Sequence, residues 1–374
     1  MDEKIILADD AFRLAIKEAM KGAPFVSPNP LVGCVIVDTN QKLLATGYHA
    51  RYGEAHAEVE ALRKLQPEQL KGATVYVTLE PCAHQGKTPS CAKALAKLPL
   101  KKVVYGLRDP NPLVSGQGAE ILRQAGIEAV EYQGVLKTEI ENLCEIFLKN
   151  MTEGKIFVAV KIASSLDGQI GLKTGESKWI TGPESREKVH ALRACYDAIV
   201  VGRQTVEADN PSLNIRHPEI QKETRLIIID PASTLLNKIQ AGHQYQFTKT
   251  HKKENIFFAT KKIAPEIHYQ QIEFTNLASL NKQLWSHQIK SILVEGGAVT
   301  YSNYLQEGLV DRLHLFMAPS IIGADSGLSW SQKFFTAHLN DQIRLRMQPP
   351  VVFGTDIYIS GRIISEAVSS GPKV

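Results

Sequence analysis

The apolar positions of the chain change period several times, and each change marks an element. Over residues 9–21, Ala11, Leu14, Ala15 and Glu18 keep a 3.6-residue spacing and predict a helix. The run LVGCVIVD at 31–38 predicts a strand, Asp38-Thr39-Asn40 its turn, and KLLATGYH the hairpin partner. A helix is expected from His56 to Leu65, a strand at 74–80, a short helix from Cys91 to Lys97 and a strand at 101–107. The stretch DPNPLVSGQGAE reads as a Pro/Gly-rich loop, followed by a helix at 118–125 and the strand IEAVEY. Alternation of this kind predicts a three-layer α/β domain. Val135, Ile140, Leu143, Phe147 and Leu148 give an amphipathic helix over 135–149, and NMTEGK then breaks the pattern. The expected division is therefore a domain at 1–150 and a second at 151–374. The second alternates again: a strand from IFVAVKIA, a helix at 183–194, strands at 197–202, 225–230 and 291–296, a helix at 298–307 and a strand at 312–319. Residues 230–290 carry no clear period.

Length supports that division, because 374 residues exceed what one core usually serves. Hydrophobic residues make up 44% and charged residues 22%, an ordinary globular balance. No apolar run reaches the length of a membrane span, and the opening MDEKIILADD lacks the basic and apolar parts of a secretory signal. The net charge of +4 comes without a basic block, which argues against a nucleic-acid surface and leaves room for a small anionic substrate. Five scattered cysteines (Cys34, Cys82, Cys91, Cys144, Cys195) fit reduced thiols in the cytoplasm.

Three of the residues in the first half suggest a metal. A catalytic zinc takes three protein ligands and keeps its fourth position for water. His56, Cys82 and Cys91 give that count. Helix starts at His56 and Cys91 would help keep a thiolate ionised. Glu58, two residues past His56, is free to face the metal without binding it and to move protons. Zinc nucleobase deaminases show H-x-E followed by P-C-x-x-C. Here His56-Ala57-Glu58 and Pro81-Cys82 are present, but eight residues separate Cys82 from Cys91. The plainer alternatives are two buried thiols beside a surface His, or a structural zinc, which would want a fourth protein ligand.

SPNPLVGCVIV, GYHARYGEAHAEVEAL and VTLEPCAHQGKTPSC resemble the N-terminal half of the bifunctional riboflavin-biosynthesis deaminase/reductase family, and the longer inter-cysteine stretch is that family's form of the signature. The resemblance implies a cytidine-deaminase-like domain that deaminates 2,5-diamino-6-ribosylamino-4(3H)-pyrimidinone 5′-phosphate, with substrate contacts at Asn29, His49, His84, Lys87 and Thr88. Taken alone, Asn29 between two prolines is also a good turn residue, and Lys87 an ordinary surface cation.

No G-x-G-x-x-G occurs after residue 150, so a Rossmann fingerprint is absent. Glu295-Gly296-Gly297 ends a predicted strand before a helix, which permits close phosphate approach and is also common turn geometry. VAVKIASSLDGQI, GESKWITG and VGRQTVEADNPSLNIR resemble the reductase half of the same family. This implies a dihydrofolate-reductase-like α/β domain that uses NADPH to reduce the ribosyl group of 5-amino-6-(5-phosphoribosylamino)uracil to ribityl. Cofactor contacts are implied at Ala163, Trp179, Thr205, Asp209 and the stretch Gly297, Ala298, Val299, Thr300, Tyr301, Ser302 and Asn303. Substrate contacts are implied at Ser177, Arg193, Leu213, Arg216 and Glu295. Lys161 is the candidate for helping the opened sugar accept hydride; otherwise it is a strand lysine reaching for solvent. The family also implies a homo-oligomer acting on small molecules, with neither nucleic acid nor membrane as partner. The competing reading is a nucleic-acid or free-nucleoside zinc deaminase with an appended domain.

Overall fold

A computed structural model describes residues 5–83, 89–111 and 114–364. The chain divides into two compact units, Met1–Gly154 and Lys155–Val374.

The first unit runs α1 (Ala8–Met20), β1 (Gly33–Val37), β2 (Leu43–Tyr48), α2 (Ala57–Leu62), β3 (Thr74–Leu79), α3 (Cys91–Leu95), β4 (Lys102–Leu107), α4 (Gln117–Gln124), β5 (Glu128–Glu131) and α5 (Lys137–Glu153). Its sheet has the order β2-β1-β3-β4-β5, antiparallel at β1 and parallel from β3 to β5. All five residues of β1 are buried, because helices cover both faces of the sheet. Alternate side chains serve the two faces. Val35 and Val37 meet Phe12 and Ala15 of α1 and Ile140 of α5, while Cys34 and Ile36 meet Ala57 and Ala61 of α2 and Leu95 of α3. A Cβ on Gly47 of β2 would lie 2.2 Å from the Ala57 carbonyl, so the bare glycine lets the start of α2 rest directly on the sheet. α5 continues past the expected break at 150 and ends at Gly154, whose φ of 64° provides the left-handed cap.

The second unit contains β6 (Phe157–Ser165), β7 (Gln169–Leu172), α6 (Pro183–Ala194), β8 (Ala198–Gly202), α7 (Arg203–Asp209), β9 (Arg225–Ile229), α8 (Thr234–Gln240), α9 (Gln246–Thr250), β10 (Ile256–Thr260), β11 (Gln270–Glu273), α10 (Leu277–Ser286), β12 (Ser291–Gly296), α11 (Ala298–Gln306), β13 (Arg312–Ala318), β14 (Gly327–Ser329), β15 (Arg344–Met347), β16 (Val351–Phe353) and β17 (Asp356–Ile364). The main sheet follows β11-β10-β9-β8-β12-β6-β13-β17-β15, with β16 also on β17; it is parallel from β11 to β13 and antiparallel beyond. β7 pairs with β14 in a separate ribbon. The central strands are Val/Ile/Leu runs buried on both faces, as parallel sheets require. Residues 230–290, unread in the sequence, supply β10, β11 and three helices of five to ten residues. The strands after 319 were also unread: β15 and β16 are largely exposed and carry little apolar alternation.

Candidate metal centre and active sites

His56 is the extended N-cap of α2, so Glu58 falls in the first turn of that helix. Cys82 lies just past β3, and Cys91 opens α3. Ser90 joins the two cysteine arms: its hydroxyl donates to the Cys82 carbonyl at 2.7 Å and accepts from the Lys93 N–H at 3.2 Å. His56 Nδ1 is 3.6 Å from Cys82 Sγ and 3.3 Å from Cys91 Sγ. The three donor atoms lie within 4.8 Å of one another. Tetrahedral zinc bonds would set N–S separations of about 3.5 Å, so the donor set fits that ion in kind, number and spacing. No fourth His, Cys or carboxylate joins the cluster among the described residues.

Electrostatics agree. The Cys82 thiol is pulled down to about 4, first by the hydrogen bond from Cys91 and then, against burial, by His56. Glu58 is 3% exposed, and burial raises its carboxyl above the usual range although His56 opposes this. Both Glu58 and the metal trio's His56 and Cys82 border a cavity of about 360 Å³, with Asn29, His49, Tyr52, Asp109, Asn111, Phe147 and others around it.

Of the implied deaminase substrate contacts, Asn29 lines this cavity. His49 also borders it but is 2% exposed, and both ring nitrogens already have protein partners: Ala55 O and Asn29 Nδ2, each at 3.0 Å. His84, Lys87 and Thr88 lie outside the described residues. The sequence reading missed Asp109 and Asn111, which it left in a loop. Glu80 places them. Its buried carboxylate accepts the N–H groups of Asp109 (3.2 Å), Gly116 (3.0 Å) and Ala119 (3.1 Å), fixing the loop at the carboxyl end of β4. The available signal was position, because the carboxyl ends of neighbouring parallel strands are where open α/β sheets bind ligands.

In the second unit, the register Val160↔Val294 brings Lys161 of β6 beside Glu295 of β12. Arg193 of α6 grips both Glu295 oxygens, Nε at 2.5 Å and Nη2 at 2.9 Å, and Lys161 Nζ stands 3.9 Å from Oε2. Their side chains are 13%, 3% and 15% exposed for Arg193, Glu295 and Lys161. Burial works to raise Glu295, but the Arg193 and Lys161 charges hold it below the usual carboxylate range. Burial lowers Lys161, with Glu295 resisting. Arg216 is exposed, and among the described residues its guanidinium has no ion-pair partner. Its backbone N–H donates to His190 Nδ1 at 3.1 Å, so that nitrogen holds a lone pair; burial first, then the two arginines, push His190 down to about 4. Leu213 is buried at φ 54°.

Ser177 donates to Asp209 at 2.6 Å, and Lys178 Nζ reaches the Asp209 carbonyl at 2.7 Å, tying the β7–α6 loop to the end of α7. Trp179 is 69% exposed beneath Arg186, whose Cζ is 4.6 Å from the ring centre. Ala163 is half-buried on the same side of β6 as Lys161. The turns after β8 and β12 are side by side: a Cβ on Gly202 would come 2.6 Å from Thr300 Oγ1, and one on Gly297 3.0 Å from Thr205 Oγ1. Bare backbone at the start of α11 suits a diphosphate. The stretch 297–303 does not act as one surface, however. A helix turns its side chains through all directions; Tyr301 and Ser302 face the fold, while Val299 and Asn303 are exposed.

Comparison with known proteins closes the question of kinship. Residues 156–359, more than half of the chain, match the family described as RibD C-terminal domain, and residues 7–107 match the cytidine and deoxycytidylate deaminase zinc-binding region. The riboflavin biosynthesis protein RibD of Actinobacillus pleuropneumoniae is 37% identical over 362 residues, covering 95% of both chains. The Escherichia coli (strain K12) protein of that name is 39% identical over 325 residues, 83% of this chain and 88% of its own. Among solved structures, Acinetobacter baumannii RibD (form 1) superposes with a TM-score of 0.81 at 36% identity, covering 96% of this chain and 99% of that one. The Thermotoga maritima diaminohydroxyphosphoribosylaminopyrimidine deaminase/5-amino-6-(5-phosphoribosylamino)uracil reductase does so at 0.82 and 34% identity, with the same coverages. No described helix is long and apolar enough to cross a membrane. The chain belongs to the RibD family, bifunctional riboflavin-biosynthesis enzymes with a zinc-binding deaminase domain and a reductase domain.

Proposed function

We propose that His56, Cys82 and Cys91 hold the catalytic zinc, that Glu58 carries protons in the deamination, and that Lys161 supplies the proton in the reduction. The substrate of the first step is the diaminopyrimidinone ribosyl 5′-phosphate, and its deaminated product feeds the second. The observation that supports the first assignment is a cavity bordered by a buried acid and by His56 and Cys82, two members of a zinc-competent donor set.

Zinc, when bound, activates water for attack on the ring carbon that bears the amine. Glu58 would accept one proton from that water and pass it to the ring nitrogen, then take the proton of the new C–OH group as the carbonyl forms and give it to the departing amine. Burial raises its carboxyl above the usual range, which favours the protonated form it must hold between the two transfers. Asn29 and the loop held by Glu80 orient the ring, and Asp109 adds an acceptor for the substrate's N–H groups.

In the second step NADPH supplies the hydride. Ring opening of the ribosylamine leaves a C1′=N bond, which needs hydride at carbon and a proton at nitrogen. Lys161 stands ready to give that proton, since burial weakens its hold on it while Glu295 keeps it charged. Arg216 is the cation available for the substrate phosphate. The turns at Gly202 and Gly297 and the exposed Trp179 offer the cofactor backbone N–H groups and an aromatic face. We also take the working enzyme to be a cytoplasmic homo-oligomer; exposed Met347, Val351 and Val352 along the open sheet edge support self-association.

Zinc analysis and ammonia release on one purified sample, with and without NADPH, test the reading. About one zinc per chain, ammonia without NADPH, and NADPH oxidation only after deamination are expected. A zinc-free chain that still released ammonia would overturn the metal assignment.

A further inference from the structure

The stretch 210–216 follows α7 and carries Leu213 and Arg216. Leu213 stands in the left-handed region at φ 54°, a conformation that a leucine keeps only where its surroundings hold it. Among the described residues, no backbone-to-backbone hydrogen bond reaches 211–216. Side chains hold the stretch instead, from two sides. α9 takes one end: Thr250 Oγ1 donates to the Ser212 carbonyl at 2.8 Å, and Asn210 Oδ1 accepts the Gln246 N–H at 2.8 Å. α6 takes the other: Arg193 Nη1 donates to the Asn214 carbonyl at 2.9 Å, and His190 Nδ1 accepts the Arg216 N–H at 3.1 Å. One donor and one acceptor for backbone groups two residues apart are what a neighbouring strand would offer. His190 and Arg193 can offer them because residues three apart share one face of a helix.

We infer that His190 is a positioning residue of the reductase site, which anchors the main chain of Arg216 so that its guanidinium meets the substrate phosphate from a fixed base. The inference rests on the reading of Arg216 above and deepens it. Arg193 is committed to both oxygens of Glu295, so His190 is the grip applied at Arg216 itself. A backbone N–H only donates, so the neutral ring keeps its hydrogen on Nε2 and its lone pair on Nδ1. Burial first, then the Arg193 and Arg216 charges, favour that neutral ring, with Glu295 opposing. A long cation on an unheld loop would lose the freedom of both loop and side chain when it bound an anion; anchoring the loop beforehand removes the larger part of that cost. His190 thus serves binding of the substrate and has no part in hydride or proton transfer.

The test uses the full chain with H190L, H190N, R216M and the H190L/R216M double variant. For each, kcat and KM are measured for NADPH-dependent reduction of the deaminated substrate, and the KM for NADPH on the same sample. H190L is expected to raise the substrate KM about fivefold, the scale of one lost hydrogen bond, with kcat and the KM for NADPH unchanged. H190N should recover most of that loss, because its Oδ1 is bonded to Cγ as Nδ1 is and accepts from the same place. In the R216M background H190L should cost less than about twofold, since both changes act through one contact. On the deaminated substrate stripped of its phosphate, H190L should match the wild type. A fall in kcat with KM unchanged, an equal loss in the two backgrounds, or an H190N variant no better than H190L would each overturn the inference. So would an H190L chain whose tryptophan fluorescence reports an unfolded second unit, because His190 would then support the fold. Failure of the Arg216 reading shows separately, as an R216M chain whose KM is unchanged, and the inference falls with it.

Discussion

The two halves of the chain build their sites on opposite plans. In the first, chemistry is concentrated: His56 and Glu58 share one helix start, and Cys82 and Cys91 are joined through Ser90. In the second, it is dispersed: Arg193 and Glu295 meet from 102 positions apart, and Lys161 joins them only through strand register. The reactions explain the difference. A metal demands ligands at bond-length precision, which short motifs supply. Hydride transfer from a nicotinamide depends on positioning two large molecules, and whole loops do that. The two plans should therefore fail differently.

Chelation is the harshest test. Removing zinc, or replacing Cys82 by Ser, should abolish ammonia release while NADPH-dependent reduction of the deaminated substrate continues. Parallel loss of both activities would show that the metal supports the whole chain rather than one site. Glu58→Gln is the next cut. It keeps the size of the side chain and removes its proton-carrying capacity, so kcat for deamination should fall about a thousandfold, near 4 kcal/mol of barrier. Zinc content should stay unchanged; if it falls with activity, Glu58 is a structural element of the metal site.

The same contrast governs what could be read in advance. His56, Glu58, Cys82 and Cys91 carry their meaning in the sequence, because residue type and local spacing are the requirement. β1 was legible as an apolar run for a similar reason. Asp109 and Asn111 were not, since a turn sequence becomes a cavity wall only after Glu80 has bonded to amides 29 to 39 positions away. Arg193 and Arg216, implied alike as substrate contacts, stand apart in the structure: the first is bound to Glu295 and the second is exposed. In β15 and β16 the apolar signal is weak because these strands are largely exposed.

Acid should separate the halves by stability. His314 of β13 is 4% exposed, its Nε2 2.8 Å from the Tyr196 hydroxyl and its Nδ1 2.7 Å from that of Tyr358. Ser360 lies 3.4 Å from Nδ1, and burial, then the Arg312 and Lys188 charges facing the ring, lower it from 6.5 to about 3. A depressed histidine stays neutral in the fold while the unfolded chain takes up a proton. Stability is therefore lost as pH falls below 6.5 and levels off near 3. Between pH 6.5 and 4 this amounts to about 3 kcal/mol. All three tryptophans (Trp179, Trp285, Trp330) lie in the second unit, so their fluorescence in a urea titration reports that unit alone. His314→Gln, able to donate and accept between the two phenols, should remove this part of the acid sensitivity. A wild-type slope that survives in H314Q would place the titration elsewhere.

Lys161→Met tests whether the dispersed site has a chemical centre. Loss of its proton should lower kcat for reduction about a hundredfold, near 2.7 kcal/mol, with ammonia release untouched. An effect on KM alone would reduce Lys161 to a substrate contact. The pH profile gives an independent reading: the rate should fall as the buried, down-shifted ammonium deprotonates, earlier than an exposed lysine would.

The smallest expected effect sharpens the contrast between the two arginines. Arg193 is a poor probe of binding, because its removal strands a buried carboxylate and destabilises the unit itself. Arg216 has no such duty. If it meets the substrate phosphate, Arg216→Met should raise the reductase KM about tenfold and leave kcat and stability unchanged, as expected when one charge-assisted contact is removed equally from ground and transition states. Added salt should raise the wild-type KM more than that of the variant, since an exposed ion pair is screened. A fall in kcat instead would mean that the phosphate grip is coupled to alignment of C1′ with the hydride donor. Binding and chemistry in the second half would then be as tightly joined as ligand and acid are in the first.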